Sequence, residues 1–189
     1  MSAVRQPVSS PSESLILVDE NDREIGFRSK AECHEGGGIL HRAFSVFLFN
    51  DKGELLLQQR SEQKPLWPLY WSNSCCSHPR EAETVDGAGR RRVREELQLD
   101  CEPWFLYKFR YHAPFGDLGS EHELCHVFAG FVDGEVVAHP DEIEDWRFIA
   151  PDDLTREIAA APERFTPWLK LEWQRIRAEF LDDILSRID

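Results

Sequence analysis

The residues best equipped for chemistry fall into three groups. Glu83 is followed, after seven residues, by the run Arg91-Arg92-Val93-Arg94-Glu95-Glu96. On a helix Arg92 and Glu96 lie one turn apart, and the neighbouring carboxylates Glu95 and Glu96 suit a hard divalent cation such as Mg²⁺, which bridges to phosphate oxygens. An exposed charged helix face carries the same pairs without any ion, so spacing alone leaves both readings open. The second group is His34 and His41 flanking Gly36-Gly37-Gly38, His78 beside Cys76, and the run Glu121-His122-Glu123. In an extended strand Glu121 and Glu123 point to one face and can converge on one ion, and imidazoles with carboxylates suit Zn, Mn or Fe better than Ca. Taken singly, each histidine is more often a satisfied surface or core residue than a ligand. Third, Cys76 is either an inert buried thiol or, beside a cation, an ionisable one able to remove a carbon-bound proton or attack an electrophile. Cys75 adjoins it, so either thiol can be the one that faces a site. Lys30, Arg60, Lys64 and Arg92 are scattered cations that, if clustered, would bind an anionic head group.

These residues need elements to hold them. Ser14 to Asp19 and Glu24 to Phe27 read as a hairpin about Asn21-Asp22, and Ser29 to Cys33 as a short helix capped by Ser29. His41 to Phe49 and Glu54 to Arg60 make a second hairpin across Asn50-Asp51-Lys52-Gly53. Tyr70-Trp71 is a short strand, and Thr84 to Leu97 is a helix with Val85, Ala88, Val93 and Leu97 at helical spacing. Trp104 to Tyr111 and Glu123 to Val132 are strands. Asp133-Gly134 predicts a turn into a further strand at Glu135 to Ala138, and Glu144 to Ile149 is the last strand. Pro151 to Ala160 and a long amphipathic Trp168 to Ile188, with Pro167 at its start, are helices. Residues 1–13 are Ser- and Pro-rich and predict a disordered lead-in to one domain over residues 14–189. Strands mixed with a few helices in one chain predict an α/β or α+β layered fold.

Composition narrows the class. Of 189 residues, 35 are acidic and 22 basic, and the net charge of −13 argues against nucleic-acid and anionic-membrane partners. With 41% apolar residues the chain can bury one sizeable core. The densest apolar stretch, Ala43 to Phe49, falls far short of a bilayer span, and Met1 to Ser14 lacks the layout of a signal peptide. The five cysteines include the adjacent Cys75 and Cys76, which suits reduced thiols and a cytoplasmic location.

At these residues the chain resembles the type I isopentenyl-diphosphate isomerases, a branch of the Nudix superfamily. Asn73-Ser74-Cys75-Cys76-Ser77-His78-Pro79 resembles the family's cysteine motif, Ser120-Glu121-His122-Glu123-Leu124-Cys125 its glutamate motif, and Trp67-Pro68-Leu69-Tyr70-Trp71 the segment before the cysteine. Several ordered motifs over roughly residues 14–168 are far more specific than any one. The resemblance implies a Nudix-like mixed sheet sandwiched by helices. It implies that Cys76 and Glu123 are an acid/base pair on opposite faces of an isoprenyl unit, assisted by Tyr111. His34, His41, His78, Glu121 and Glu123 would hold one Zn²⁺ or Mn²⁺, and Glu96 with the Cys76 main-chain carbonyl a Mg²⁺ on the diphosphate. Lys30, Arg60, Lys64 and Arg92 match the diphosphate contacts, and Trp168 matches an aromatic able to face a carbocation. The motif register selects Cys76 over Cys75. The expected reaction is the reversible 1,3-allylic proton shift between isopentenyl and dimethylallyl diphosphate. The only partner expected is that small prenyl diphosphate, and the assembly expected is a monomer or weak dimer.

The hydrolase branch departs from this chain at telling positions. Its box reads Gly, five residues, Glu, seven residues, Arg-Glu, apolar, any, Glu-Glu, any, Gly; here Ser77, Arg92 and Gln98 stand for the first Gly, the Glu after Arg, and the last Gly. A cation in place of a carboxylate at Arg92 weakens binding of a water-activating metal and strengthens the grip on diphosphate. A hydrolase on the same fold, and a non-catalytic prenyl-diphosphate or metal-binding module, are the rival readings.

Overall fold

The computed structural model describes residues 8–188. The strands β1 (Ser14–Val18) and β2 (Glu24–Ser29) pair as an antiparallel hairpin and lead into α1 (Lys30–His34). Ser29 Oγ accepts from Glu32 N while the Glu32 carboxylate accepts from Ser29 N, a reciprocal cap that starts this short helix at a defined residue. There follow β3 (His41–Phe49), β4 (Leu55–Arg60), β5 (Trp71–Ser72), β6 (Cys75–Ser77) and α2 (Val85–Leu97), with Thr84 as the α2 cap. The strands β7 (Trp104–Pro114), β8 (Ser120–Phe131) and β9 (Ile143–Ile149) complete a nine-stranded mixed sheet, and α3 (Pro151–Ala160), α4 (Pro167–Glu179) and α5 (Leu181–Leu185) close the chain.

The sheet is organised about β3, which runs parallel to β8 from His41–Glu123 to Phe49–Phe131 and antiparallel to β6 from Phe44–Ser77 to Val46–Cys75. A strand paired in this way and covered on both faces is apolar nearly throughout, as Ala43 to Phe49 is. Alternation sends Ala43, Phe47 and Phe49 towards Leu169, Trp173 and Ile176 of α4 and Leu181 and Ile184 of α5. Phe44, Val46 and Leu48 face the other way, onto Ala88, Val93 and Leu97 of α2. The chain is thus a single α+β domain with its sheet between two helical layers. Burial of each such large side chain contributes about 1.5–3 kcal/mol.

Two elements differ from expectation. Residues 135–138 form no strand; Val137 N and His139 N donate instead to Leu97 O (3.0 Å) and Glu96 O (2.7 Å). Those carbonyls end α2 and lack intrahelical donors, so they compete for the backbone that would have completed a hairpin. The long C-terminal helix breaks at Phe180 (φ −128°), whose ring stacks on Tyr107 with centroids 5.3 Å apart. The break turns the chain so that Leu181 and Ile184 reach the core. Of the lead-in expected over residues 1–13, residues 1–7 lie outside the described residues. Residues 8–13 lie against the domain: Lys30 N donates to Glu13 O (2.8 Å) and Ala31 N to Pro11 O (2.9 Å). No helix among the described residues is long and apolar enough to cross a membrane.

Candidate active site

His34 ends α1, His41 opens β3, His78 follows β6, and Glu121 and Glu123 lie on one face of β8. The parallel register sets His41 beside Glu123. The approach of α1 to β8 depends on Gly119: a Cβ there would stand 2.5 Å from His34 O, which no side-chain-bearing residue tolerates. One ligand atom from each of the five residues lies within 4.8 Å of all the others. His34 Nδ1 faces Lys30 O at 2.6 Å and His41 Nδ1 faces Ile39 O at 2.7 Å. Carbonyls accept only, so both rings carry a proton on Nδ1 and turn Nε2 inward. His41 Nε2 then sits 3.2 Å from His78 Nε2, which is 3.0 Å from Glu123 Oε1.

Protonation completes the set. Burial, then the nearby charges of His41 and Lys30, hold His78 well below its usual value, so it is neutral. Burial works to raise the carboxyls of Glu121 and Glu123, but charge and hydrogen bonding from His34 and His41 outweigh it and hold both below the usual range. Glu121 in turn raises His34 against its burial, so a bound cation would take the place of that proton; three imidazoles and two carboxylates so disposed fit a divalent metal of the Zn or Mn kind. His78 Nδ1 is buried with no hydrogen-bond partner among the described residues.

The cluster forms one wall of a cavity of about 630 Å³. Cys76, Tyr111, Glu123 and Trp168 line it, and so do Lys30, Arg60, Lys64 and Arg92. Strand alternation resolves the two thiols: Cys75 packs into the α2 layer, while Cys76 takes the opposite face with the cavity. Burial pushes the Cys76 thiol up to about 12, against the charge of Arg60. Tyr111 OH donates to Glu123 Oε2 at 2.6 Å. Trp168 sits in the first turn of α4, fixed by its Nε1 donating to Ser72 Oγ at 2.9 Å, and the Arg60 guanidinium sits 5.2 Å from its ring centroid.

Lys30, Lys64 and Arg92 gather about Glu142, and Arg60 lies over Trp168. Arg60 is aimed by donating to Trp67 O (3.0 Å) and Leu66 O (2.9 Å). Burial, then the charges of Lys64 and Arg92, push Lys30 down to about 8. Arg92 is 2% exposed and donates twice to Glu96 Oε1, at 2.9 and 2.5 Å. Glu96 lies behind the cavity lining, and its Oε2 has Gln58 Nε2 at 3.4 Å. One carboxylate oxygen is therefore committed to Arg92 while the other keeps accepting capacity for a cation.

Sequence reasoning missed three features. Glu142, 3% exposed, pairs with Lys64 and stands 3.3 Å from Arg92 Nη2, so it is the shared counter-ion of two cavity cations. Arg92 Nη1 also donates to Val8 O at 2.7 Å, and Lys30 Nζ to Ser9 Oγ at 2.5 Å, so the segment before β1 lines the same cavity. Glu172 on α4 is fully buried beneath the sheet near Cys125 and Ser45. None of the three has a local spacing signal, because each acts on residues distant in sequence.

A family model described as NUDIX domain matches residues 39–169. The chain is 46% identical over 174 residues to Isopentenyl-diphosphate Delta-isomerase 1 of Photorhabdus laumondii, covering 91% of this chain and 99% of that one. It is 40% identical over 166 residues to the isopentenyl-diphosphate Delta-isomerase of Pectobacterium atrosepticum, covering 88% and 92%. Among solved structures, DR0079 from Deinococcus radiodurans matches with a TM-score of 0.71 at 26% identity, over 86% of this chain and 98% of that one.

Proposed function

The chain belongs to the isopentenyl-diphosphate Delta-isomerases of the Nudix family, and from that premise we propose how its own residues carry out the reaction. It is an isomerase interconverting isopentenyl diphosphate and dimethylallyl diphosphate. Supporting the site reading above all is one observation: Cys76 and the Tyr111–Glu123 pair line the same cavity as the four cations Lys30, Arg60, Lys64 and Arg92.

Lys30, Arg60, Lys64 and Arg92 bind the diphosphate, and that binding energy positions a hydrocarbon too small to be gripped by itself. Glu123, supported by Tyr111, exchanges a proton with the terminal carbon, and Cys76 exchanges one with C2 from the opposite side. The Trp168 ring faces the tertiary cation between these steps, and the surrounding aromatic residues keep water away from it. By itself the chain keeps the Cys76 proton and leaves Glu123 ionised. From that state dimethylallyl diphosphate is protonated at C2 and loses a methyl proton. The opposite direction begins once a proton has passed from thiol to carboxylate.

His34, His41, His78, Glu121 and Glu123 would hold one Zn²⁺ or Mn²⁺, whose positive charge tunes the proton affinity of Glu123. Glu96 and the Cys76 carbonyl are assigned to a Mg²⁺ that accompanies the diphosphate. A hydrolase needs water-activating carboxylates, and Arg92 instead neutralises Glu96. In this reading residues 14–189 are the catalytic domain, acting in the cytoplasm as a monomer or weak dimer.

The test is to incubate the protein with isopentenyl diphosphate and Mg²⁺ and follow both the allylic product and released phosphate by NMR. Dimethylallyl diphosphate without phosphate release is expected from the native chain, and none from Cys76→Ala. Phosphate release without isomerisation would move the chain to the hydrolases, and unchanged turnover in Cys76→Ala would remove Cys76 from the mechanism.

A further inference from the structure

Trp67 and Leu69 both adopt positive φ, at 48° and 63°, in the left-handed region that side-chain-bearing residues rarely enter. Pro68 between them disfavours the right-handed helical conformation at Trp67. Such a backbone persists only where its surroundings over-determine it, and here the surroundings include two residues of the site. Trp67 O accepts from Arg60 Nε at 3.0 Å and Leu66 O from Arg60 Nη2 at 2.9 Å. The Arg60 main chain donates to Tyr70 O at 2.9 Å and accepts from Leu69 N at 3.0 Å, so the segment closes round Arg60 with four hydrogen bonds.

The far end of the same segment holds Trp168. Trp71 O accepts from Thr166 N at 3.0 Å, just before α4, and Ser72 Oγ accepts from Trp168 Nε1 at 2.9 Å. The Trp67 ring meets the Trp168 ring nearly at right angles (87°) with centroids 5.2 Å apart, an edge-to-face arrangement that aromatic pairs prefer. Phe115, just after β7, packs on the same Trp67 ring with centroids 4.9 Å apart. Trp67 itself is 3% exposed and stands outside the cavity lining, to which Leu66 and Trp168 belong. Its influence on the site therefore passes through its neighbours. Resting on the isomerase reading, we propose that Trp67 is a positioning residue: its left-handed backbone presents the carbonyl to Arg60 and the ring to Trp168 at once. It thereby fixes the cation that grips the diphosphate relative to the aromatic face that meets the hydrocarbon. Both contacts depend on this one conformation, which accounts for a left-handed backbone at a residue other than glycine.

The carbonyl belongs to the main chain and the ring to the side chain, so substitution separates the two contacts. The indole N–H of Trp168 reports its placement without substrate, whether or not the chain isomerises anything. Its hydrogen exchange, followed by two-dimensional NMR, is compared with that of Trp173 on the same helix, whose Nε1 donates to Thr155 Oγ1 at 3.0 Å and which controls for global loosening. In Trp67→Leu the Trp168 N–H is expected to exchange about tenfold faster relative to Trp173, and in Trp67→Phe, which keeps an aromatic ring, within about twofold of the native ratio. Pyrophosphate affinity, measured by calorimetry, should stay within about twofold of native in both, because the carbonyl that aims Arg60 is retained. For isopentenyl diphosphate, kcat of Trp67→Leu should fall about tenfold with KM unchanged, the order of one cation–π contact. Trp67→Leu combined with Trp168→Leu should be no slower than Trp168→Leu alone, because the two rings act in series. A native exchange ratio in Trp67→Leu would overturn the proposal. So would pyrophosphate affinity lost in step with kcat, since the side chain would then be propping up the whole segment. A chain that converts no isopentenyl diphosphate would sink the isomerase reading alone, because the exchange ratio and the pyrophosphate affinity still decide the place of Trp67. Trp67→Met fills irregular space with a flexible side chain and keeps the test available if Trp67→Leu does not fold.

Discussion

Tyr111 and Glu123 face each other across the β7–β8 ladder, and the Tyr111 hydroxyl donates to Glu123 Oε2 at 2.6 Å. Residues directly opposite in an antiparallel pair share a face, so the register itself builds this bond. Burial, then the charge of Glu123, holds the Tyr111 phenol well above its usual value, which keeps it a donor at neutral pH. Tyr111→Phe deletes the donor but keeps the ring that stacks on Phe109 with centroids 5.5 Å apart. The expected result is a fall in kcat of about tenfold to a hundredfold, the range for losing a hydrogen bond to a charged group. A loss under twofold in steady-state assays would detach Tyr111 from the reaction.

Glu142 is the counter-ion of Lys64 and Arg92, and it competes for the charges that a diphosphate must meet. Burial works to raise its carboxyl, but the charges of Lys64 and Arg92 outweigh it and hold Glu142 ionised. Glu142→Gln is expected to destabilise the chain by about 1–3 kcal/mol, since two partly or fully buried cations lose a partner. The same change should make inorganic pyrophosphate bind more tightly, because the anion then meets less competition. Thermal unfolding with and without pyrophosphate reads both effects. Weaker pyrophosphate binding in the variant would show that Glu142 aligns the cations more than it competes for them.

Much of this arrangement was legible in the residues. The Ser29 cap, the hairpin at Asn50 to Gly53, the Thr84 start of α2 and the Pro151 start of α3 all use local chemistry, and short-range patterns report local chemistry well. Ordered motifs carry the candidate site residues. The cavity brings most of them together because β3, β6 and β8 are neighbours in one sheet, a fact that no short window contains. What stayed hidden depends on distant partners. Glu142 meets Lys64 from 78 residues away, and Val8 meets Arg92 from 84 residues away. Residues 135–138 read as a strand because Asp133-Gly134 is a good turn; the open carbonyls of α2 claimed that backbone instead. Gln98 shows a local rule overridden: it adopts the left-handed conformation (φ 54°) at the end of α2, where glycine would be free of strain.

The His/Glu cluster predicts a metal-dependent stability. Three imidazoles and two carboxylates meet within 4.8 Å, and a cation binding there but not to the unfolded chain adds about 2.7 kcal/mol at a hundredfold excess over its dissociation constant. For a chain of this size that corresponds to a rise in Tm of roughly 5–11 °C. Removing metal with a chelator should reverse the rise and abolish turnover, and one equivalent of Zn²⁺ or Mn²⁺ should restore both. In His78→Ala the restored Tm should be markedly smaller. An unchanged Tm on chelation and on metal addition would mean that the cluster holds itself together by hydrogen bonds alone.

Glu172 predicts how stability depends on pH. Its folded carboxyl is raised by burial to about 8 from an ordinary value of 4.5. Between those values the folded chain keeps a proton that the unfolded chain has released, so unfolding releases a proton and becomes more favourable as pH rises. The stabilising contribution of the neutral acid is therefore complete below about pH 4.5 and is lost as pH climbs towards 8. Glutamine does not titrate, so in Glu172→Gln this slope should vanish. Other titrating groups, Lys30 and the histidine cluster among them, are common to both chains and cancel in the difference. Urea midpoints of native and variant chains, measured at intervals from pH 5 to 8.5, should converge or cross as the native chain loses stability relative to the variant. Parallel curves over that range would show that Glu172 is ionised in the folded chain.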